Sequence, residues 1–367
     1  MKRSEYMEWA KTCSQAHFNL ATSGLTSVLI GEFPVDLEEL EITGPGGYGY
    51  GPLQQRIARH SGVSEQCVVA ATGTSMANHL AMAAMLDPGD EVLIEHPTYG
   101  PLLDIANYLG AKVKRFTRKL ETKFVIEPAE IAKTISNRTR LILLSNLHNP
   151  SGGLIPAETL RAIGEMAQLI GAHVLVDEVY LEMLFGDSTP PFAFSIGQAL
   201  APSGDNPYII TNSLTKVYGL SGLRCGWILA SPILARRIWL LNDLFGVNAA
   251  HPAEGMSVMA FNHLEQFRER ARTLLATNRA LLDSFLDSRG DLECFRPPGG
   301  SVVFPRLTHG DAGVFCKLLR EKYDTSVVPG RFFEMPRHFR IGIGGDTQNV
   351  RTGLERLSAA LDEFAKR

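Results

Sequence analysis

Short apolar segments alternate with longer segments of helical periodicity along the first two thirds of the chain. Seven apolar segments are predicted to be β-strands: Cys67–Ala71, Glu91–Glu95, Lys112–Phe116, Leu141–Ser145, His173–Asp177, Tyr208–Asn212 and Gly226–Ala230. Between them lie four segments with a helical pattern: Ser75–Leu86, Pro101–Leu109, Pro128–Ile135 and Pro156–Ile170. This alternation predicts an α/β fold with a mainly parallel seven-stranded sheet flanked by helices.

The pattern changes after Pro232, where long helical segments replace the alternation. Helices are predicted over Ile233–Phe245 and Ala253–Leu286, and a closing helix is predicted from Thr347. Between the last two, a compact α+β segment has strands predicted near Ser301–Pro305, Ser326–Val328 and Phe339–Ile343. The change of pattern indicates a second domain in the last third of the chain.

We therefore predict three parts. Residues 31–246 form a large domain that contains the sheet, and residues 247–367 form a small α+β domain. Residues 1–30 form an N-terminal arm that contributes to the small domain and to a substrate pocket.

Composition is that of a globular protein with a small-molecule partner. The chain of 367 residues is 45% hydrophobic and 20% charged, with a net charge of -3. It has no basic field to attract nucleic acid or an anionic membrane, no apolar segment of membrane-spanning length and no signal-peptide pattern at its start. Its five cysteines are scattered, which favours neither disulfides nor a zinc site. We expect a cytoplasmic protein.

Polar residues stand where predicted strands end, which is the edge at which parallel sheets bind ligands. The first strand runs into Thr72-Gly73-Thr74-Ser75 before a helix, where backbone N–H groups and hydroxyls can bind a phosphate. The same residues can also be an ordinary helix cap. Asn149 follows the fourth strand in an Asn-Pro turn and carries an amide that can bind a ligand oxygen.

A lysine follows two hydroxyl residues in Ser213-x-Thr215-Lys216, and Arg224 follows eight residues later in a glycine-containing turn. An amine beside hydroxyls and a guanidinium can form an imine with an aldehyde and hold a phosphate. The segment therefore points to pyridoxal 5'-phosphate. In isolation, the lysine and the arginine could equally be surface charges.

The fifth predicted strand ends in Asp177 and Glu178 after an apolar segment. A buried carboxylate needs a partner, and a pyridinium N–H is a suitable one. A metal ion is the alternative, but neighbouring strand residues point to opposite faces, so the two carboxylates would not meet at one ion. No metal site is predicted.

The ordered set of motifs resembles the class I/II aminotransferases, which are fold-type I enzymes dependent on pyridoxal 5'-phosphate. The motifs follow the family's order and approximate spacing along nearly the whole chain: Gly73-Thr74-Ser75, Tyr99, Asn149-Pro150, Asp177 with Tyr180, Ser213-x-Thr215-Lys216, Arg224 and Arg340. The resemblance implies that the large domain binds the cofactor and that Lys216 is the catalytic, imine-forming residue. It also implies transfer of an amino group from an amino acid to a 2-oxo acid by a ping-pong mechanism.

The resemblance implies a role for each cofactor-binding motif. Asp177 pairs with the protonated ring nitrogen, and Tyr99 stacks on the ring. Asn149 and Tyr180 bind the phenolic oxygen of the ring. The phosphate is held by hydroxyls, an arginine and the amides of a helix start: Gly73, Thr74, Ser75, Ser213, Thr215 and Arg224.

Substrate contacts are implied as well. Arg340 lies in an apolar strand, where it requires an anionic partner, and it resembles the arginine that binds the substrate α-carboxylate. A structural salt bridge is the alternative. Asn149 is implied to bind substrate too, and Gly24 resembles the close-approach residue of the segment that lines the pocket. Arg331 could contact an acidic substrate or lie at the surface, and the surface is favoured.

The resemblance also implies a homodimer in which a tyrosine of one subunit reaches the phosphate of the other. Tyr48 and Tyr50 both lie in the corresponding glycine-rich loop. The sequence does not choose between them.

Other activities occur on the same scaffold, because the bond that breaks at Cα depends on the pocket. A pyridoxal-phosphate lyase, acting by β-elimination or decarboxylation, is the first alternative. A non-catalytic effector-binding protein of the same fold is the second. Such regulators have a DNA-binding domain ahead of the fold, and about 30 preceding residues are too few for one.

Overall fold

A computed structural model describes residues 3–184, 191–202 and 205–366 of the chain. Its helices are, in chain order, α1 Glu5–Thr12, α2 Gly51–Ser61, α3 Thr74–Met85, α4 Gly100–Tyr108, α5 Pro128–Thr134, α6 Ala157–Leu169, α7 Ala193–Leu200, α8 Pro232–Asn242, α9 His251–Asn262, α10 Leu264–Asp287, α11 Ala312–Tyr323 and α12 Thr347–Phe364. Its strands are β1 Phe18–Asn19, β2 Val68–Thr72, β3 Glu91–His96, β4 Lys112–Thr117, β5 Thr139–Ser145, β6 His173–Asp177, β7 Tyr208–Ser213, β8 Cys225–Leu229, β9 Leu292–Glu293, β10 Val302–Val303, β11 Arg306–Leu307, β12 Thr325–Ser326, β13 Val328–Pro329 and β14 Phe339–Gly342.

The large sheet has seven strands in the order β2-β8-β7-β6-β5-β3-β4. The ladders from β7 through β6, β5 and β3 to β4 are parallel, and β8 is antiparallel to both of its neighbours. Each of the seven predicted strands overlaps one of these strands. The predicted α/β fold with a mainly parallel sheet is therefore confirmed.

Both faces of this sheet are buried, which explains why its strands are continuously apolar. In β5, Leu141 and Leu143 pack into one core and Ile142 and Leu144 into the other. Helices α3, α4 and α8 cover the first face, and α6 and α7 cover the second. Because the strands are held from both sides, the loops at their carboxyl ends have a rigid base on which to place polar groups.

One predicted helix is wrong. The segment Ala253–Leu286 was predicted to be continuous, but α9 ends at Asn262 and α10 begins at Leu264. Between them His263 leaves the helical conformation, with φ -123° and ψ 18°. The apolar periodicity continues across the break and therefore conceals it. Helix α11 was not predicted, although Asp311 caps it by accepting a hydrogen bond from the Val314 N–H over 3.0 Å.

The N-terminal arm pairs with the C-terminal part of the chain. Strand β1 lies parallel to β12, with Phe18 opposite Thr325 and Asn19 opposite Ser326. The smaller strands predicted near residues 301, 326 and 339 are present, and β14 pairs with both β10 and β13. Within the described residues, no helix is both long and apolar enough to cross a membrane.

Candidate active site

A cavity of ≈ 210 Å³ lies at the carboxyl ends of strands β2, β5, β6 and β7. Its lining comes from separate segments of the chain: Met7, Thr74, Ser75, Asn78, Tyr99, Ser145, Asn149, Asp177, Val179, Tyr180, Ser213, Thr215, Lys216 and Arg224. Of the predicted site residues, only Gly24, Gly73 and Arg340 are not in this lining, and each of these contacts a residue that is. The structure therefore brings all of the predicted side chains and glycines to one place.

Lys216 is part of this lining, and its amine is held by the N-terminal arm. Its Nζ donates a hydrogen bond to Ser23 Oγ over 3.3 Å. Burial lowers the pKa of Lys216, which increases the fraction of neutral amine near pH 7. A Cβ at Gly24 would lie 3.4 Å from Lys216 Cδ, so this glycine leaves room for the lysine side chain.

Asp177 ends strand β6 and is held by two donors. Asn78 Nδ2 donates to Asp177 Oδ2 over 2.9 Å, and the Val179 N–H donates to Oδ1 over 3.2 Å. Asn78 is itself fixed, because its Oδ1 accepts a hydrogen bond from Thr211 Oγ1 over 2.6 Å. Burial raises the pKa of Asp177 to about 6. The carboxylate is thus oriented but lacks a cation in direct contact within the described residues.

The adjacent carboxylate, Glu178, lies on the other side of the strand. Its Oε1 accepts a hydrogen bond from the Ala193 N–H over 2.9 Å. In the part of the chain that the structure describes, no group of histidine, cysteine and carboxylate side chains could hold a metal ion.

Hydroxyl groups line one end of the cavity beside the start of α3. Thr74 Oγ1 donates to Ser213 Oγ over 2.9 Å, and the Thr215 N–H donates to the same oxygen over 3.3 Å. The Thr215 Oγ1 atom is buried and has no hydrogen-bond partner. A buried hydroxyl without a partner is costly, so an acceptor-rich group in the cavity would satisfy it.

Arg224 lines the same end of the cavity as these hydroxyl groups. Its Nη2 donates to the Thr72 carbonyl over 3.1 Å, and the residue has a left-handed φ of 51°. Gly73 also has a positive φ, of 81°, and a Cβ there would overlap the Arg224 guanidinium. A non-glycine residue in the left-handed region costs free energy, which is typical of sites that the fold holds in place for a function.

The buried charge of Arg340 gives the clearest indication of what the site binds. It is 1% exposed, and its guanidinium donates to Asn149 Oδ1 over 2.8 Å, to Tyr6 Oη over 3.1 Å and to the Ala21 carbonyl over 3.0 Å. These acceptors are uncharged, its Nε has no partner, and no ion pair joins it to a carboxylate of the described residues. The alternative of a structural salt bridge is therefore not supported. A buried cation without an anion indicates an anionic ligand.

Two tyrosines complete the walls. Tyr99 contacts Tyr6 edge-on, with ring centroids 5.3 Å apart, and its hydroxyl donates to Met7 Sδ over 3.5 Å. The hydroxyl oxygen of Tyr180 lies 2.7 Å from Ser23 Oγ. Burial raises the pKa of both tyrosines, so each keeps its proton near pH 7 and can donate it in a hydrogen bond.

Three residues that the sequence left open lie outside the cavity. Arg331 is exposed and its guanidinium lies 4.6 Å from the Phe332 ring centroid, in agreement with the surface position that was favoured. Tyr48 and Tyr50 are not part of the lining in their own chain. The Tyr48 hydroxyl donates to Asp243 over 3.1 Å.

Comparison with known protein families agrees with the motifs, the sheet and the buried arginine. The family model for class I and II aminotransferases matches residues 43–357. The chain belongs to the class I and II aminotransferases. The matched range includes Lys216, Asp177 and Arg340.

Individual proteins of known name are similar to this chain over most of its length. Capreomycidine synthase of Streptomyces vinaceus is 27% identical over 365 residues, which span 96% of this chain and 92% of that protein. Arginine–pyruvate transaminase of Pseudomonas aeruginosa is 29% identical over 330 residues, spanning 85% and 80%. A pyridoxal-phosphate-dependent aminotransferase of Streptococcus suis has a similar structure, with a TM-score of 0.90, 25% identity and coverage of 99% and 98%. This aminotransferase therefore uses pyridoxal 5'-phosphate and moves amino groups from amino acids to 2-oxo acids.

Four residues that line this aminotransferase's cavity were not predicted: Met7, Asn78, Ser145 and Val179. Tyr6 and Ser23, which hydrogen-bond to Arg340 and Tyr180, were not singled out either. Asn78 had a local signal, because it lies four residues after Thr74 on α3 and is a polar residue on the buried face of that helix. Tyr6 had no such local signal. It lies 334 residues before Arg340 in the sequence, and the packing of α1 brings the two side chains together.

A buried ion pair supports the turn that carries Asn149. Arg118 and Glu95 are 1% and 0% exposed, and Nη1 of the arginine lies 2.8 Å from Oε2 of the carboxylate. Glu95 Oε1 accepts hydrogen bonds from Ser145 N and Oγ, over 2.8 and 2.6 Å. Ser145 Oγ in turn accepts from the Asn149 N–H over 3.1 Å. The pair thereby fixes the turn that carries Asn149.

Arg118→Met is expected to lower the free energy of unfolding by about 3 kcal/mol, because it leaves the Glu95 carboxylate buried without its cation. The exposed pair of Lys133 and Glu130 provides a control, and Lys133→Met should leave the unfolding midpoint unchanged. Urea unfolding of the two cofactor-free variants measures the difference. Equal effects of the two substitutions would show that the buried pair does not stabilise the fold.

Proposed function

We propose that the enzyme transaminates an α-amino acid whose carboxylate pairs with Arg340, with Lys216 as the group that carries the proton. The observation that carries this proposal is Arg340 itself, a buried cation whose protein partners are all neutral. A planar guanidinium matches a carboxylate in a two-point contact, which fixes the direction from which Cα meets Lys216. The side-chain oxygen of Asn149 accepts a hydrogen bond from the same guanidinium, so Asn149 would lie beside the bound carboxylate.

The residues of the cavity fit the cofactor at each of its polar groups. Asp177 would hold the ring nitrogen, and Asn149 and Tyr180 would hold the ring oxygen, with Tyr99 against the ring face. Phosphate would be held by the hydroxyl end of the cavity: Gly73, Thr74, Ser75, Ser213, Thr215 and Arg224. The unpartnered Thr215 hydroxyl supports this fit, since phosphate oxygens are acceptors that would satisfy it.

When bound, pyridoxal 5'-phosphate supplies an aldehyde that condenses with amines and a ring that withdraws electrons from the substrate carbon. Asp177 favours that withdrawal, because an ionised carboxylate stabilises a positive charge on the ring nitrogen. Lys216 acts as a general base and then as a general acid. Its neutral amine would take the proton from Cα and then donate it to the carbon that was the cofactor's aldehyde carbon.

One site thus serves both half-reactions. Arg340 binds the carboxylate of the amino acid in the first half and that of the 2-oxo acid in the second. Since the two substrates occupy the same position in turn, ping-pong kinetics follow.

We further propose a homodimer. A set of large apolar side chains is exposed on the N-terminal loop and on the segment around the end of α8: Leu29, Ile30, Leu37, Ile42, Leu240, Leu244, Phe245 and Val247. Tyr48 connects the two regions through its hydrogen bond to Asp243. Exposed apolar surface of this extent favours burial against another subunit. Tyr48 or Tyr50 would then reach the phosphate of the neighbouring site.

The arm, the large domain and the small domain, over residues 1–30, 31–246 and 247–367, remain a prediction. The pairing of β1 with β12 supports the assignment of the arm to the small domain. A cytoplasmic location also remains a prediction, and it rests on the composition and the scattered cysteines.

A second activity has one observation in its favour. The relative that matches 96% of the chain is named a synthase, whereas the transaminase relative matches 85%. A pyridoxal-phosphate lyase, acting by β-elimination or decarboxylation, is therefore kept as the alternative to transamination. The other alternative, a non-catalytic effector-binding protein, has no support among these named relatives.

Purified enzyme mixed with single amino acids is expected to give 2-oxo acid only in proportion to the enzyme present. Adding a second 2-oxo acid should make the reaction catalytic, because the enzyme must return its amino group before the next turnover. The test is a panel of acidic, neutral and basic amino acids, with 2-oxo acid, ammonia and cyclised product measured for each. Catalytic release of ammonia from one amino acid without an acceptor would instead establish a lyase.

A further inference from the structure

Ser23 lies between the amine of Lys216 and the phenol of Tyr180. Its Oγ is 3.3 Å from Lys216 Nζ and 2.7 Å from Tyr180 Oη. The residue is 6% exposed. On its other side, the Ser301 hydroxyl donates to the Ser23 carbonyl over 2.6 Å. The hydroxyl is therefore held at a defined point beside both groups.

The hydrogen-bonding capacity of these groups allows them to form one connected chain. A serine hydroxyl has one proton and can accept two hydrogen bonds. Ser23 Oγ accepts from Lys216 Nζ, and either hydroxyl of the Ser23–Tyr180 pair can be the donor. The arrangement in which Ser23 donates leaves the Tyr180 proton free. Tyr180 can then donate its proton to an acceptor in the cavity that it lines. The three groups form a chain that runs from the lysine amine towards the cavity.

The same segment also holds the lysine backbone. The Leu25 N–H donates to the Lys216 carbonyl over 3.2 Å, and Gly24 lies against the lysine side chain. Residues 23–25 therefore contact Lys216 at its backbone, its methylene groups and its amine. A hydroxyl at this position has access to the free amine whenever Lys216 is not covalently bound.

We propose that Ser23 is a positioning residue for proton transfer by Lys216, which deepens the proposed function and rests on it. By accepting one N–H of the free amine, Ser23 turns the nitrogen lone pair towards the substrate Cα. Nζ would take the proton from Cα and then donate it to the carbon that was the cofactor's aldehyde carbon, while the Ser23 hydroxyl keeps its own proton. Pre-orientation of a base in this way lowers the barrier without adding a chemical step.

Ser23→Ala in the holoenzyme is expected to lower kcat about tenfold, the effect of losing one hydrogen bond to a chargeable group, with KM nearly unchanged. The kinetic isotope effect for substrate deuterated at Cα should increase, because proton transfer becomes more strongly rate-limiting. Ser326→Ala is the matched control: its buried hydroxyl donates to the Ser14 carbonyl over 2.7 Å and does not line the cavity. This control should keep the kcat and the isotope effect of the wild type.

Ser23→Thr and Ser23→Val distinguish the effect of the hydroxyl from the effect of side-chain packing, because threonine and valine have nearly the same shape. Thr is expected to retain most of kcat, and Val to lose it as Ala does. If Thr and Val have equal kcat, the hydroxyl does not position the amine and the proposal fails. A double substitution with Tyr180→Phe should cost less than the sum of the two single losses, since both groups belong to one chain.

The cofactor-free protein offers a readout independent of turnover. NMR titration of isotopically labelled lysine is expected to give a lower pKa for Lys216 in Ser23→Ala, because the ammonium form loses an acceptor. Tyr6, Asp177, Arg224 and Arg340 also act on this amine and are unchanged in the variant. An unmoved pKa together with an unmoved isotope effect would overturn the role of Ser23.

Failure of this inference can be told apart from failure of the proposed function. Ser23→Ala should keep the visible absorption of the covalently bound cofactor, because Lys216 is still present. Loss of that absorption in Ser23→Ala would mean that Ser23 is needed for attachment, which contradicts a role in orienting the free amine.

Discussion

Lys216→Ala is expected to lower kcat/KM about 10⁴-fold or more, the upper end of the range for a general acid–base group. The variant removes both the amine that condenses with the cofactor and the base that faces the substrate. Its visible absorption should shift to that of free or non-covalently held cofactor. Steady-state kinetics and the absorption spectrum of the purified variant measure the two effects.

The control for this substitution is Lys133→Ala, at a lysine that is 70% exposed in its side chain and lies on α5 away from the cavity. It should retain the kinetics and the spectrum of the wild type. Full turnover and an unchanged spectrum in Lys216→Ala would refute the assignment of the catalytic lysine.

Asp177→Asn is expected to lower kcat/KM about 10³-fold, because losing one partner of a desolvated charge pair costs several kcal/mol and each 1.4 kcal/mol is about tenfold. The amide has nearly the shape of the carboxylate, and its oxygen can still accept the hydrogen bond from Asn78. The loss would therefore measure the charge more than the packing. Kinetics at saturating cofactor check this expectation.

Asp177 should also impart a pH dependence to cofactor binding. Burial raises its pKa to about 6, so in the cofactor-free protein the carboxylate is ionised above that pH and neutral below it. Binding of a positively charged ring nitrogen requires the ionised form. Cofactor affinity of the wild type should thus fall as the pH falls below about 6, whereas Asp177→Asn should lack this component. Parallel pH dependences in the two proteins would contradict the pairing.

The predictable part of the site consists of residues close in sequence to strand ends. Asp177 ends β6, Ser213 ends β7, and Thr74 begins the helix after β2. Parallel strands bring their carboxyl ends to one edge of the sheet, so finding the strands was enough to place these residues together.

The sequence predicted that the N-terminal arm reaches the substrate pocket near Gly24, but it did not predict which side chains of the arm make long-range hydrogen bonds there. Tyr6 reaches Arg340 and Ser23 reaches Tyr180 because α1 and the following segment pack against distant parts of the chain. Neither residue has a local pattern that distinguishes it from an ordinary core tyrosine or serine. The break at His263 escaped prediction for a related reason, since apolar periodicity reports the buried face of a helix and not its continuity.

The central claim is that Lys216 is the residue that binds the cofactor covalently. Borohydride reduction of the holoenzyme converts that bond into a stable amine, and mass spectrometry of the digested protein then locates it. The added mass is expected on the peptide that contains Ser213-x-Thr215-Lys216. Added mass on a different lysine, or none on any peptide of a cofactor-saturated enzyme, would contradict it.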